Sequence, residues 1–156
     1  MDNSYLWLKT LHLLGVVLFL GNIIITGWWK NMADRTKNPK IIAFAQRQVT
    51  VTDWLFTAGG AAILLAGGMI NVDLHQLSYT YKWLSWGMGL FVLSGIIWVF
   101  ILIPTQVKQA KMAYGFAETG EIPDAYWKLC KLWNYWGAAA VITPLMAIYW
   151  MTFKPI

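Results

Sequence analysis

Three residues within or beside long apolar runs carry side chains that can hold a metal or a proton: His12, Asp53 and His75. A neutral imidazole is a common metal ligand, and histidine is a frequent axial ligand of haem iron. A carboxylate in an apolar span can carry a proton, bind a cation or pair with a basic group. These residue types indicate two candidate sites, one at a histidine and one at an acid.

His12 belongs to a polar stripe on its helix. Alternating spacings of three and four place the following residues on one face: His12, Gly15, Phe19, Asn22 and Thr26. On this face the His12 imidazole can ligate the iron of haem b, about 10 Å below the outer face of the membrane at 1.5 Å per residue. Lys9 lies one turn further out and would pair with a haem propionate. The alternative is a histidine that only hydrogen-bonds to a neighbouring helix.

His75 lies in the connection between the second and third apolar runs, on the same side of the membrane as His12. It is a second candidate iron ligand, which would give a haem with two histidines. A solvated loop histidine is the alternative interpretation.

Asp53 begins a second stripe, which continues through Thr57, Gly60, Leu64, Gly67 and Asn71. It is the candidate for proton transfer or ion binding. Pairing with Arg47 or a helix-capping role are the alternatives, although the spacing places Arg47 on another face. On the same helix, Ala58, Ala62 and Ala66 form a small-residue ridge that favours close helix packing.

Other chemistry lacks support in the residues. No cluster has the spacing of a metal site built from protein ligands alone, and no phosphate-binding, dinucleotide-binding or hydrolase motif occurs. Cys130 is the only cysteine, so an intrachain disulfide is excluded. Whether the chain is an enzyme stays open at this level.

The elements that must position these residues are membrane spans. Hydrophobic residues make up 58% of the 156 residues and charged residues 12%, against about 25% charged in soluble domains. Four segments have the length to cross the bilayer, at about 5–29, 49–70, 83–103 and 133–153. We predict one all-α domain over residues 1–156, an integral membrane up-down four-helix bundle. Asn38-Pro39, Gly120 and Pro123 mark helix ends.

Basic residues predict the orientation. The net charge of +5 comes largely from two regions between apolar runs, so it indicates topology rather than nucleic-acid binding. The first loop is assigned Lys30, Arg35, Lys37, Lys40 and Arg47, and the third Lys108, Lys111, Lys128 and Lys131. The positive-inside rule places both loops in the cytoplasm, and both termini outside, in a multi-pass protein of the cell membrane.

Several stretches carry a resemblance to known proteins. Tyr5–Gly15, Val51–Thr57 and the C-terminal run from Tyr126 to Pro155 resemble a bacterial family of predicted four-helix integral membrane proteins of unknown function. That resemblance covers nearly the whole chain and implies the fold without an activity.

A more distant likeness is to the HemJ-type protoporphyrinogen oxidases, small membrane proteins that bind haem b. The shared pattern is Lys9, two residues and His12, with a Lys-Pro ending. It implies that His12 is the haem ligand. Those enzymes also carry a lysine early in the third helix, whereas Trp83–Gly89 has none and Lys82 is out of register. The likeness therefore favours a haem site over porphyrinogen oxidation itself.

Two functions follow as hypotheses. The first is a haem-b-binding, redox-associated membrane protein with His12 as ligand. The alternative is a non-enzymatic membrane subunit, scaffold or small transporter without a cofactor. Abundant Trp and small residues on helix surfaces motivate the alternative, because they suit association with lipid, a second copy or another membrane protein.

Overall fold

The computed structural model describes residues 3–155, and over that range its regular structure is entirely helical. Four long helices follow one another: α1 (Asn3–Arg35), α2 (Pro39–Leu74), α3 (Lys82–Thr119) and α4 (Asp124–Phe153). By length and composition, each can cross a membrane. Short turns make successive helices antiparallel. The predicted all-α membrane bundle is confirmed.

Local sequence explains where the helices stop. The side chain of Asn38 accepts hydrogen bonds from the backbone N–H groups of Lys40 (3.0 Å) and Ile41 (3.3 Å) at the start of α2. Gly120 adopts a left-handed conformation with φ of 81° and ends α3. Pro123 immediately precedes α4. The helix ends predicted from these residues are confirmed.

The helices are longer than a bilayer requires. With 30 to 38 residues each, they extend about 45–57 Å at 1.5 Å per residue, against about 30 Å of hydrocarbon. The assignment of Lys30, Lys40 and Lys108 to loops is therefore wrong, since all three lie on helices. The helices continue because their extensions enclose an apolar core made of Ile42, Ala113, Phe116, Tyr126 and Cys130.

Glycines let α1 and α2 pack closely. A Cβ atom on Gly15 would lie 2.4 Å from the backbone nitrogen of Leu64, and one on Gly60 would lie 2.6 Å from the backbone nitrogen of Phe19. Only glycine permits such an approach. Ala62 and Ala66 are exposed, so the prediction that the alanine ridge is a packing seam is wrong within one chain. The seam is instead the stripe that begins at Asp53.

Two hairpins, α1/α2 and α3/α4, make up the bundle and diverge towards one end. At the end that contains the turns 36–38 and 120–123, Pro39–Thr52 packs against Ile103–Thr119. We call this end the joined half. At the opposite end, no Cα atom of the described Gly59–Leu74 segment lies within 8 Å of one in Lys82–Ile97. We call this end, where the backbones of the two hairpins are further apart, the wedge.

Two π-helical segments lie between the joined half and the wedge. One is Asp53–Ala58 in α2, and the other is Trp98–Leu102 in α3. The rings of Trp54 and Trp98 meet edge to face, with their centroids 6.2 Å apart. Single π turns inside α-helices occur frequently at functional sites, which directs attention to the side chains of these two segments.

Candidate functional site

His12 is held against α2 by one ring nitrogen. Its Nδ1 atom lies 2.8 Å from the backbone oxygen of Leu64. A carbonyl oxygen only accepts, so Nδ1 carries a proton and donates it, and in the neutral ring Nε2 then holds the lone pair. The ring fits there because a Cβ atom on Gly68 would come within 2.9 Å of Nδ1. The α1/α2 seam therefore fixes the tautomer and leaves Nε2 as the available nitrogen.

His12 is half-buried on the helix face that borders the wedge. Two turns along α1, Phe19 is buried, and its ring contacts that of Phe91 on α3, with centroids 5.4 Å apart. Residues separated by two turns share a face. Within residues 3–155, Nε2 of His12 makes no hydrogen bond. These positions place the His12 ring at the α1/α2 seam, on the side of α1 that faces α3.

The structure does not bring His75 to His12. The His75 ring packs edge to face on Tyr5, with centroids 5.1 Å apart. Tyr5 lies two turns from His12, which is about 10 Å along the helix axis. Two imidazoles that share one metal lie about 4 Å apart, since each metal–nitrogen distance is about 2 Å. Lys9 is exposed, with its ammonium 5.8 Å from the Tyr5 ring centroid.

The donor set at His12 fits haem better than a bare metal ion. In the part of the chain that the structure describes, no group of three His, Cys, Asp or Glu residues could hold a metal. A single imidazole retains iron where a macrocycle supplies the in-plane ligands. Ligating histidines usually donate their other N–H to a carbonyl or carboxylate, as Nδ1 of His12 does to Leu64.

Asp53 lies at the start of the π-helical segment of α2 and is buried. Its Oδ1 atom accepts hydrogen bonds from Oγ1 of Thr57 (3.0 Å) and Nδ2 of Asn22 (3.2 Å). The same Asn22 nitrogen donates to Thr57 at 2.9 Å. Arg47 is exposed at the surface, and the ion pair found among residues 3–155 lies elsewhere. The two predicted stripes thus meet at Asp53, without Arg47.

A cavity of about 570 Å³ lies beside Asp53, with walls from all four helices. Both π-helical segments contribute to it, through Asp53 and Thr57 on one side and Trp98 and Leu102 on the other. The remaining wall is mostly apolar and comes mainly from α1 and α4. The cavity falls within the 300–1,000 Å³ typical of small-molecule sites. Neither His12 nor Lys9 lines it.

A second polar cluster lies in the joined half. The Lys30 ammonium is 1% exposed and donates to Oδ2 of Asp34 at 2.8 Å, while the Tyr126 hydroxyl donates to Oδ1 of Asp34 at 2.7 Å. The same ammonium lies 5.0 Å from the Trp133 ring centroid and 3.6 Å from Sγ of Cys130. Sequence reasoning missed this cluster because Lys30 was counted as a loop charge.

A signal for that cluster was present in the sequence. Asn22, Thr26, Lys30 and Asp34 follow one another at i, i+4 spacing, so they continue the stripe that begins at His12. All four are buried. Extending the stripe past the apolar run would have placed the Lys30–Asp34 pair inside the bundle.

These features define a multi-pass α-helical membrane protein with polar groups inside its bundle. The chain belongs to the family described as "Predicted integral membrane protein (DUF2269)", whose model matches residues 6–155. No curated protein and no solved structure matches the chain significantly. The family confirms the predicted membership of an integral membrane family of unknown function. Its description gives no activity, so function has to be inferred from the geometry.

Proposed function

We propose that the protein binds haem b, with Nε2 of His12 as an axial ligand of the iron. The observation that carries the proposal is the hydrogen bond from Nδ1 of His12 to the Leu64 carbonyl. It holds the ring and, in the neutral imidazole, assigns the lone pair to Nε2, the atom that a metal would bind. The distant likeness to HemJ-type proteins supports the same assignment.

The surroundings of His12 suit a large apolar group. At this end of the bundle the described backbones of α2 and α3 are more than 8 Å apart, and the exposed Lys9 is available one turn further out for a propionate. Bound haem would supply one-electron transfer, with the axial ligand and its hydrogen bond tuning the potential. The protein would then be a redox-associated membrane component.

An absorbance spectrum of protein purified in detergent tests this proposal. After expression with ample haem, we expect a Soret band in the wild type and in His75→Ala, and its loss in His12→Ala. Gel filtration of His12→Ala shows whether the variant still folds. A wild-type protein without a Soret band, or a His12→Ala variant that keeps it unchanged, contradicts the proposal.

Proton or cation transport is a second candidate function. Its support is the buried Asp53, together with amide oxygens of Gln46 and Gln106 that are buried without a partner among the described residues. Such groups commonly bind internal water, which would connect Asp53 with the joined half. In proteoliposomes, Asp53→Asn should abolish flux, while Asp73→Asn, an exposed acid on the same helix, should retain it. Unchanged flux in Asp53→Asn rules out this role.

We further propose that the joined half faces the cytoplasm of a bacterial cell, with both termini outside. Exposed basic residues concentrate there: Arg35, Lys37, Lys40, Arg47, Lys108, Lys111, Lys128 and Lys131. In a Cys130→Ala background, a membrane-impermeant maleimide should label Ser78→Cys in intact cells, and Glu121→Cys only after permeabilisation. The reverse pattern would invert the orientation.

A further inference from the structure

The close hydrogen bonds of the Asp53 carboxylate are all made at Oδ1. Oδ1 accepts from Asn22 and Thr57. Oδ2 accepts no close hydrogen bond from the described residues, although the side chains of Gln106 and Trp98 lie near the carboxylate, and Asp53 as a whole is only 7% exposed. Asp53 lines the cavity, so a ligand bound there would lie next to its carboxylate.

No basic side chain neutralises Asp53 within residues 3–155. The ammonium of Lys30, which is buried in the same bundle, is already paired with Asp34 at 2.8 Å. Along α1, Lys30 also lies two turns from Asn22, about 12 Å at 1.5 Å per residue. A carboxylate in an apolar cavity requires a proton or a cation to offset its desolvation. A proton meets this need without a ligand, and an occupant that brings positive charge meets it through an ion pair.

The walls indicate what kind of cation fits. Aromatic rings of Phe19, Trp98 and Trp133 line the cavity, and such rings attract cations through their faces. A hard inorganic cation prefers about six or more oxygen ligands, which a mainly apolar wall does not offer. An organic cation with an apolar body matches both the carboxylate and the rings.

Access to the cavity lies between α1 and α4. Ile24 of α1 and Ile142 of α4 line it and are exposed, at 46% and 55%. These side chains belong to the surface that contacts acyl chains when the helices span a bilayer. A ligand dissolved in the lipid would reach the cavity laterally.

We propose that this cavity binds a lipid-soluble organic cation, such as a hydrophobic amine or phosphonium, with Asp53 as its counter-ion. The proposal needs no haem at His12. It also stands whether or not the bound cation is carried across the membrane.

Binding of methyltriphenylphosphonium to protein in detergent tests it by calorimetry or by quenching of tryptophan fluorescence. We expect saturable binding to the wild type and at least tenfold weaker binding of neutral triphenylphosphine. Asp53→Asn should weaken cation binding at least tenfold, whereas Asp53→Glu should retain most of it and Asp73→Asn all of it. Equal binding of the cation by Asp53→Asn and the wild type overturns the proposal, as does equal binding of the neutral compound.

A steric variant provides an independent check. Gly137 lines the cavity, and a Cβ atom there would meet no other atom within 4 Å. Gly137→Leu should therefore fill the space without distorting a helix and reduce cation binding at least tenfold. Gly21 also has open space and is exposed, so Gly21→Leu is the matched control and should bind normally. Unchanged binding in Gly137→Leu would place the ligand elsewhere, and His12→Ala should bind as the wild type does.

Discussion

Two buried acids, Asp34 in the joined half and Asp53 at the cavity, differ in how completely their charges are paired. In the joined half, both oxygens of Asp34 are engaged, one by Lys30 and the other by Tyr126. At the cavity, Asp53 has one engaged oxygen and no basic partner among the described residues. A fully paired charge fixes neighbouring helices, whereas a half-paired charge next to a cavity is available to a ligand.

Asp34, whose two oxygens both accept hydrogen bonds, links α1 to α4. Lys30 and Asp34 lie on α1, while the Tyr126 hydroxyl and the Trp133 ring come from α4. Trp133 also lines the cavity. One indole thus separates a polar cluster that stabilises the fold from a space that suits a ligand, so the two halves can be perturbed one at a time.

The largest expected loss of stability comes from removing the Lys30 ammonium, the cation of the Lys30–Asp34 ion pair. Lys30→Met leaves the Asp34 carboxylate buried without its counter-charge, which should cost about 3–5 kcal/mol of unfolding free energy. Thermal or denaturant unfolding in detergent measures the loss. Lys40→Met, at an exposed position, is the control and should change stability little.

The double variant Lys30→Met/Asp34→Leu checks the cause of that loss. Replacing both charges by apolar side chains of similar volume is often neutral. The double variant should therefore recover most of the stability lost in Lys30→Met. A single variant as stable as the wild type would show that the pair does not stabilise the joined half.

A smaller effect should follow from weakening the same cluster without removing a charge. Tyr126→Phe deletes the hydrogen bond to Asp34 but keeps the ring that packs on Phe116. Hydrogen bonds to charged groups contribute about 1.5–3 kcal/mol, so the unfolding free energy should fall by that amount. Tyr114→Phe, on the exposed surface of α3, should leave it unchanged. Equal stabilities of the two variants would assign Tyr126 a packing role only.

The fold was predictable because the apolar composition of membrane helices and the residues at their ends are visible in the sequence. Apolar runs, the Asn38-Pro39 cap and Gly120 predicted four helices and their boundaries. The extensions of α2 and α3 beyond the apolar runs were indicated by the Asn38-Pro39 cap and by the amphipathic stretch 106–117. The extension of α1 past Trp29 was not, because it is stabilised by tertiary contacts of residues such as Tyr126. Lys30 was misassigned for the same reason.

The candidate site was predictable only in its parts. The stripe spacing placed Asp53, Thr57 and Asn22 on inward faces, but their meeting depends on how α1 and α2 approach through Gly15 and Gly60. The π-helical segments and the cavity depend on packing among all four helices. No local pattern reports such features, since each requires side chains that are distant in sequence.

The smallest expected change in unfolding free energy is that of Asp53→Asn, and it distinguishes Asp53 from Asp34 most clearly. Asp53→Asn keeps an oxygen that can accept from Thr57 and Asn22 and removes a buried charge that has no basic partner in residues 3–155. Its unfolding free energy should therefore stay within about 1 kcal/mol of the wild type, on either side. Asp34→Asn breaks an ion pair and leaves the Lys30 ammonium buried without a counter-charge, so it should cost several times more. Because both variants replace Asp by Asn, the difference between their unfolding free energies in one assay reflects the surroundings of the two acids. Equal losses of unfolding free energy would mean that Asp53 stabilises the fold as much as Asp34 does. A near-neutral Asp53→Asn would mean that the Asp53 charge serves a purpose other than stability.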